Sequence, residues 1–194
     1  MPAEARISSI WKKQKLFIAV AMMVLGGWFF LDGFRTWPRS NERWLAHQQH
    51  KNEDRLNDWP AYAKSRGWIP EPPEKFYTPE DIRGQYQYGG LCVLAGIIIF
   101  VYWATQIPRT VRTDEEAVYT SAGKRVPFDA ITGVDKKKWD AKGIARVSYE
   151  LEGETGKFTV DDYKFETEPT RRILDEIESH LQQRDRSPES QGID

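Results

Sequence analysis

Three side chains that commonly bind metal ions lie close together in a polar stretch of the chain: His47, His50 and Asp54. Their spacings of three and four residues place them on one face of a helix, and imidazole combined with carboxylate suits zinc. Two histidines flanked by glutamines in a polar helix more commonly face water. Metal binding is therefore the minor alternative, and we predict that the protein has no cofactor.

A basic cluster beside a tryptophan is the second candidate site. The residues that could contact a ligand there are Lys136, Lys137, Lys138, Trp139 and Lys142. A basic segment gains roughly 1 kcal/mol per lysine near an anionic membrane surface, and tryptophan favours the interface. Acidic residues interrupt the cluster, and charged turns commonly face water. The cluster is interpreted as a hairpin tip that is solvated, touches lipid, or docks a protein.

The remaining residues form no catalytic arrangement. No glycine-rich phosphate loop follows a predicted strand, and no serine lies in a nucleophile elbow. Asp161 and Asp162 lack a partner base and suit a bend, and His180 is expected on the exposed side of a helix. Cys92 is the only cysteine, which excludes a disulfide framework. We predict that the protein is not an enzyme, and its net charge of −1 argues against nucleic-acid binding.

Two apolar segments predict transmembrane helices. Residues 84–108 contain no charge, and roughly 20 apolar residues are enough to cross a bilayer. Thr78 followed by Pro79, Glu80 and Asp81 predicts the start of this helix. The first segment, residues 16–31, is shorter, but the lysines before it extend its usable length. Bulky residues follow it, so a retained anchor is favoured over a cleaved signal peptide.

Small residues predict that the two apolar helices pack together. Ala19 and Gly26 are seven residues apart, as are Gly89 and Gly96, and each pair lies on one helical face. Basic residues are slightly more numerous on the flanks that carry the two termini. The positive-inside rule then places both termini in the cytoplasm, with the protein integral to the inner (cytoplasmic) membrane.

Residues 35–83 are too polar to cross a membrane. A surface helix is predicted from Ser40, and a shorter helix from Asp58 to Gly67. The proline-rich stretch that follows is expected to be extended. Five aromatic residues of this region are expected to pack into a cap: Trp59, Tyr62, Trp68, Phe76 and Tyr77.

The sequence after Pro108 changes to strand periodicity. Ala145, Val147, Tyr149 and Leu151 alternate with polar residues, which predicts a half-buried antiparallel strand. Residues 153–156 are expected to turn the chain. A returning strand follows, with a bulge at residues 161–162 that would place Tyr163 and Phe165 inward. A final amphipathic helix carries an apolar stripe formed by Ile173, Ile177 and Leu181.

A predicted hairpin begins at residue 109 and is followed by Val126, Pro127, Phe128, Asp129, Ile131, Thr132 and Val134. This segment, residues 109–134, resembles the bacterial pleckstrin-homology-like (PH-like) domain family. The resemblance extends to about Leu181. It implies a small antiparallel sheet or partial barrel closed by a C-terminal helix, and such domains often adjoin pairs of transmembrane helices. About five strands are predicted, whereas the family fold has seven, and the resemblance supplies no catalytic residues.

The predicted protein is thus an α+β membrane protein with five parts. These are residues 1–34 with the first transmembrane helix, 35–83 as a polar helical segment, 84–107 as the second transmembrane helix, 108–183 as the PH-like domain, and 184–194 as a disordered tail. The leading hypothesis is a cytoplasmic scaffolding module that binds a membrane or cytoplasmic protein. The alternatives are an anionic-lipid sensor and a metal-binding protein.

Overall fold

The computed structural model describes residues 2–186, which divide into two compact units. One unit combines the described residues up to Leu16 with those from Val101 onward, and the other is Phe17–Phe100. The described residues up to Leu16 thus group with the C-terminal part of the chain, whereas the sequence-based division placed them with the first apolar helix in residues 1–34. Of the predicted tail, residues 184–186 are helical, and residues 187–194 lie outside the described residues.

Two long helices dominate the second unit. Helix α1 spans Ser9–Leu31 and passes through a π-helical turn, Asp32–Thr36, into α2, Trp37–Asn52. The predicted helix start at Ser40 is therefore wrong. Further along the chain, α3 spans Trp59–Ser65 and α4 spans Pro79–Gln106. The 44-residue run from α1 to α2 and the 28-residue α4 are both long and apolar enough to cross a membrane.

The apolar helices approach each other at the small residues that the sequence singled out. A Cβ atom on Gly26 would lie 2.8 Å from the Gly89 carbonyl oxygen, and one on Gly96 would lie 3.0 Å from the Ala19 carbonyl oxygen. No larger side chain fits between backbones at these distances. The prediction of close packing is confirmed.

The second apolar helix begins where the sequence predicted. The Asp81 amide donates to Thr78 Oγ1 at 3.1 Å, and the Thr78 amide donates to Asp81 Oδ2 at 2.9 Å. This reciprocal pair satisfies amides that have no partner inside the helix. The short helix α3 also ends as predicted, because Gly67 adopts a positive φ of 69°.

Seven strands form two antiparallel sheets in the first unit, as far as the structure describes it. The first sheet has the order β1-β2-β3-β4 and the second β5-β6-β7. Their bounds are β1 Glu4–Arg6, β2 Thr110–Thr113, β3 Ala117–Tyr119, β4 Arg125–Pro127, β5 Ile131–Lys138, β6 Ile144–Leu151 and β7 Glu154–Asp161. The prediction of about five strands was too low, and the sheets do not close into a barrel.

The N-terminal strand was not predicted. Strand β1 precedes the first apolar helix and pairs antiparallel with β2, which follows the second. A bridge between Ile7 and Phe165 extends the contact to the segment after β7. The described residues of the chain thus leave one sheet, pass through both long helices, and return to the same sheet.

The β6–β7 hairpin follows the predicted alternation but turns earlier than predicted. Ala145 and Val147 are fully buried, and Tyr149 is 9% exposed. The turn is formed by Glu152 and Gly153, both with positive φ, as a two-residue hairpin requires. Gly156 instead lies within β7, opposite Tyr149.

A C-terminal helix, α6 (Thr167–Arg186), covers the core of the β unit. Ile173 and Ile177 are fully buried as predicted, and Leu174 widens the stripe. Phe165 is also buried, but Tyr163 is 56% exposed, so its predicted inward placement is wrong. The chain leaves β7 in a tight turn there, because Asp161 Oδ1 accepts hydrogen bonds from the amides of Tyr163 and Lys164.

Candidate functional site

The lysine cluster lies at the end of a strand and not wholly at a hairpin tip. Strand β5 continues through Lys138, and a single helical turn, α5 (Trp139–Lys142), connects it to β6. Gly143 ends this turn with φ of 66°, and its carbonyl oxygen accepts a 2.8 Å hydrogen bond from the Asp162 amide. Lys136, Lys137 and Lys138 therefore belong to strand β5, where Lys138 pairs with Ile144, and only Lys142 belongs to the connection.

A register shift between β5 and β6 spreads the three consecutive lysines. Asp135 pairs with Arg146 and Lys138 pairs with Ile144, so two residues of β5 lie opposite one of β6. Bulges of this kind redirect side chains. The side chain of Lys136 reaches helix α6, where its ammonium lies 2.9 Å from a Glu178 carboxylate oxygen.

Lys137, Lys138 and Lys142 are exposed, and none forms an ion pair with a described residue. Trp139 is only half-buried, because part of its ring packs against the core of the β unit. The cations of this region that form no ion pair with a described residue are thus Lys137, Lys138 and Lys142, beside the half-buried ring of Trp139.

A small cavity adjoins these lysines. It measures about 70 Å³ and is lined by Asp135, Lys137, Lys138, Ile144 and Arg146. Pockets that enclose small molecules are usually about 300–1,000 Å³. The region is therefore suited to contact with a charged surface and not to enclosing a ligand.

The proposed metal ligands do not form a metal site. Helix α2 ends at Asn52, and Asp54 follows in a left-handed turn with φ of 54°, so the predicted single helical face does not reach it. His50 is buried, its Nδ1 lies 2.8 Å from the Ala46 carbonyl oxygen, and its ring packs on Trp59 and Tyr62. The described residues contain no group of His, Cys, Asp and Glu that could hold a metal ion.

The histidines instead belong to the predicted aromatic cap, which forms in two parts. His47 and His50 pack on Trp59, which also contacts Tyr62 and Trp68. Phe76 and Tyr77 pack separately, on Trp44 and Trp37. Burial is the main cause that lowers the pKa of His47, and Lys51, Arg43 and His50 lower it further.

His180 also packs on an aromatic ring. Its imidazole stacks on Phe128 with ring centres 4.0 Å apart and planes 11° from parallel. The expectation that His180 faces solvent is therefore only half correct, because one face of the ring is covered. Asp162 likewise has a structural partner, with its Oδ2 lying 3.1 Å from Arg171 Nε.

One polar cluster escaped the sequence reasoning. The Lys164 ammonium donates to Gln106 Oε1 at 2.8 Å and lies 5.7 Å from the centre of the Trp11 ring. Gln106 is 4% exposed. Burial lowers the pKa of Lys164, as does Arg109, while Asp161 acts in the opposite sense. No local spacing pointed to this cluster, because its members come from three distant parts of the chain.

Comparison with known proteins gives no matching family model, and no significant match to a curated protein or to a solved structure.

Proposed function

We propose that the chain is a two-span membrane protein of the cytoplasmic membrane that presents a non-enzymatic, PH-like β unit for the assembly of other proteins. Both termini lie on the cytoplasmic side in this proposal. The β unit acts as a docking module, and the helices hold it at the membrane surface.

One observation carries the proposal: β1 and β2 pair although the two long helices separate them in sequence. A module joined to a membrane by a single linker moves freely about it. A module that includes the residues preceding α1 and those following α4 is attached twice, which restricts its orientation. Fixed presentation of a surface is what assembly requires, because it lowers the entropy lost on binding.

The PH-like part of the proposal rests on the architecture of the β unit. Its described residues form one sheet of four strands and one of three, followed by a helix over the core. The family fold that the sequence resembles also has seven strands and a closing helix. Of the two strands by which the structure exceeds the predicted five, one is the N-terminal strand Glu4–Arg6.

Contact with anionic lipid is the second candidate function. It is favoured by the exposed, unpaired ammonium groups of Lys137, Lys138 and Lys142, to which Arg146 adds a fourth charge on the adjacent strand. Exposed cations of this kind gain about 1 kcal/mol each near an anionic surface. The half-buried Trp139 is a weaker anchor than a free indole.

Site-specific photo-crosslinking in intact membranes separates the two candidates. A photoreactive amino acid replaces Lys138 in the full chain, and the control carries it at Glu168, which is also exposed but lies on α6. We expect a discrete protein adduct at position 138 that is absent at position 168. Adducts with lipid alone would favour the lipid function. Equal protein adducts at both positions, or none, would contradict docking at this surface.

A further inference from the structure

Three arginines project from one stretch of helix immediately after the first apolar segment. Arg35, Arg39 and Arg43 recur every four residues and line one open cavity of about 460 Å³. The other lining residues are Thr36, Ser40, Gly67, Trp68 and Ile69. The cavity therefore combines three guanidinium groups and two hydroxyls with an apolar wall.

The charge of this cavity is not neutralised by the protein. None of the three arginines forms an ion pair with a carboxylate in the described part of the chain. Arg43 donates from Nη2 to the backbone oxygen of Glu71, but its Nε is buried without a hydrogen-bond partner. Like charges one turn apart repel each other, and a buried donor without a partner costs free energy. An anion in the cavity would relieve both costs.

The walls of the cavity are held by directional contacts. The side chain of Asn41 makes two hydrogen bonds to the backbone of Tyr77, of 2.7 and 2.8 Å, and Trp37 stacks on the same tyrosine at 4.2 Å. Near Gly67, the Trp59 indole donates to the Pro70 carbonyl oxygen at 2.7 Å. These contacts hold the extended segment that follows Ile69 against α2 and α3, which favours a preformed cavity.

The π-helical turn is an independent sign of function. Arg35 and Thr36 belong to this turn, which interrupts the long helix at Asp32–Thr36. Such turns are rare and occur frequently at functional sites. Here the turn lies between the apolar segment and the other two arginines.

We propose that this cavity, the arginine pocket, binds a phosphate group. Guanidinium groups present paired donors that match phosphate oxygens, and three of them suit an anion of high charge density. The volume lies in the range of small-ligand sites. Arg35 follows the apolar segment, which ends at Leu31, by one helical turn, and this places the pocket at headgroup depth when α1 spans the bilayer. The ligand is then the phosphate of an anionic phospholipid.

The assignment of the phosphate to a phospholipid rests on the proposed membrane location. The assignment of a phosphate site does not. A soluble phosphate compound has the same recognition chemistry, and the experiment therefore includes both sources. If the membrane proposal fails, binding of a soluble phosphate compound can still be measured in detergent.

The test uses the full-length protein in a non-ionic detergent and native mass spectrometry. The probes are phosphatidylglycerol, neutral diacylglycerol and glycerol 3-phosphate. The variant is Arg35→Gln/Arg39→Gln/Arg43→Gln, and the control Lys51→Gln/Lys64→Gln/Lys157→Gln removes the same charge at exposed positions outside both candidate binding surfaces. Circular dichroism verifies that each is helical, and Arg39→Gln alone provides a milder change at an exposed position.

We expect phosphatidylglycerol to bind the wild type and the lysine variant equally, and at least tenfold more weakly to the arginine variant. Diacylglycerol should show no difference among them. Binding of glycerol 3-phosphate with the same dependence on arginine would support the phosphate site and identify a soluble ligand. The proposal is overturned if neither phosphate probe binds the wild type, or if the arginine and lysine variants lose binding equally.

Discussion

Lys164 donates a 2.8 Å hydrogen bond to Gln106, the last residue of the second apolar helix. Trp11, from the start of the first apolar helix, lies under the same ammonium group. One lysine in the β unit thus contacts residues from both long helices inside the same compact unit. The stability of this cluster depends on pH, because burial lowers the pKa of Lys164 below its ordinary value of 10.5.

The first prediction concerns that pH dependence. The folded protein holds the Lys164 proton less tightly than the unfolded chain, so this group favours folding more as pH rises through its folded pKa towards 10.5. Lys164→Gln removes this pH-dependent gain in folding free energy. Unfolding free energies of wild type and variant are measured in detergent from pH 7 to 10. The stability of the wild type relative to the variant should increase over this range. A difference that is constant with pH would contradict a desolvated lysine.

The second prediction concerns acid sensitivity of the histidine cluster. The pKa of His47 is lowered from its ordinary value of 6.5, so the folded state disfavours its protonation. Stability from this group is present above 6.5 and is lost as pH falls through 6.5 towards the folded pKa. The free energy of unfolding of the wild type should therefore fall between pH 7 and 5. Tryptophan fluorescence measures this unfolding. His47→Gln should lose less stability over the same pH range, and an equal loss in wild type and variant would contradict a lowered pKa of His47.

The third prediction uses two adjacent glycines of α1. A Cβ on Gly26 would lie 2.7 Å from Val93 Cγ2, whereas one on Gly27 would meet nothing within 4 Å. Gly26→Ala should destabilise the helical pair by about 1–3 kcal/mol through overpacking. Gly27→Ala should be neutral, or stabilising by about 0.5–1 kcal/mol from helix propensity. Unfolding in mixed micelles measures both. Equal effects would mean that α1 and α4 do not pack through Gly26.

The fourth prediction concerns the N-terminal residues. Ile7 is 1% exposed in the core of the β unit, while Ile10 is 64% exposed. Ile7→Ala should cost about 2–5 kcal/mol, since it leaves a cavity, and Ile10→Ala about 0.5 kcal/mol or less. Thermal unfolding of the β unit compares the two. A small effect at Ile7 would show that β1 does not belong to this unit in solution.

The fifth prediction tests membrane topology. In a Cys92→Ser background, single cysteines replace Glu4, Ser65 or Ala122, all of which are exposed. When both long helices span the membrane, Glu4→Cys and Ala122→Cys label from one side with an impermeant maleimide, and Ser65→Cys labels from the other. With cytoplasmic termini, only Ser65→Cys labels in intact cells. Labelling of all three in intact cells would refute the two spans.

The sequence correctly predicted the structural elements that depend on interactions between residues close together in the chain. Thr78 and Asp81 form their capping pair within one helical turn, and the alternation from Ala145 to Leu151 reports directly which face is buried. The contact of Gly26 with Gly89 was also foreseeable. It depends on two periodic patterns that can be read separately and then matched.

The features that the sequence did not predict depend on contacts between residues far apart in the chain, or on a helix that continues through an apparent start signal. Strand β1 has only three residues, and its partner lies beyond both long helices, so no window of sequence contains the pair. Pro38 and Ser40 are ordinary signals for a helix start. The helix is nevertheless continuous through these residues, because the π-helical turn joins α1 to α2 and the Trp37 amide donates to the Asp32 carbonyl oxygen. The lysine cluster was found from sequence, but the Lys136–Glu178 pair was not, because α6 had no predicted position relative to β5.

The pairing of β1 with β2 has a consequence for synthesis on the ribosome. Strand β1 is synthesised before both apolar helices, whereas its partner β2 appears only after both have been made. At about 5–20 residues per second, a delay of roughly 5–20 s separates the two. During that interval Ala5 and Ile7 have no core to enter. The β1–β2 pair therefore forms only after both long helices have been synthesised, so the completed sheet contains chain from both sides of the helical segment.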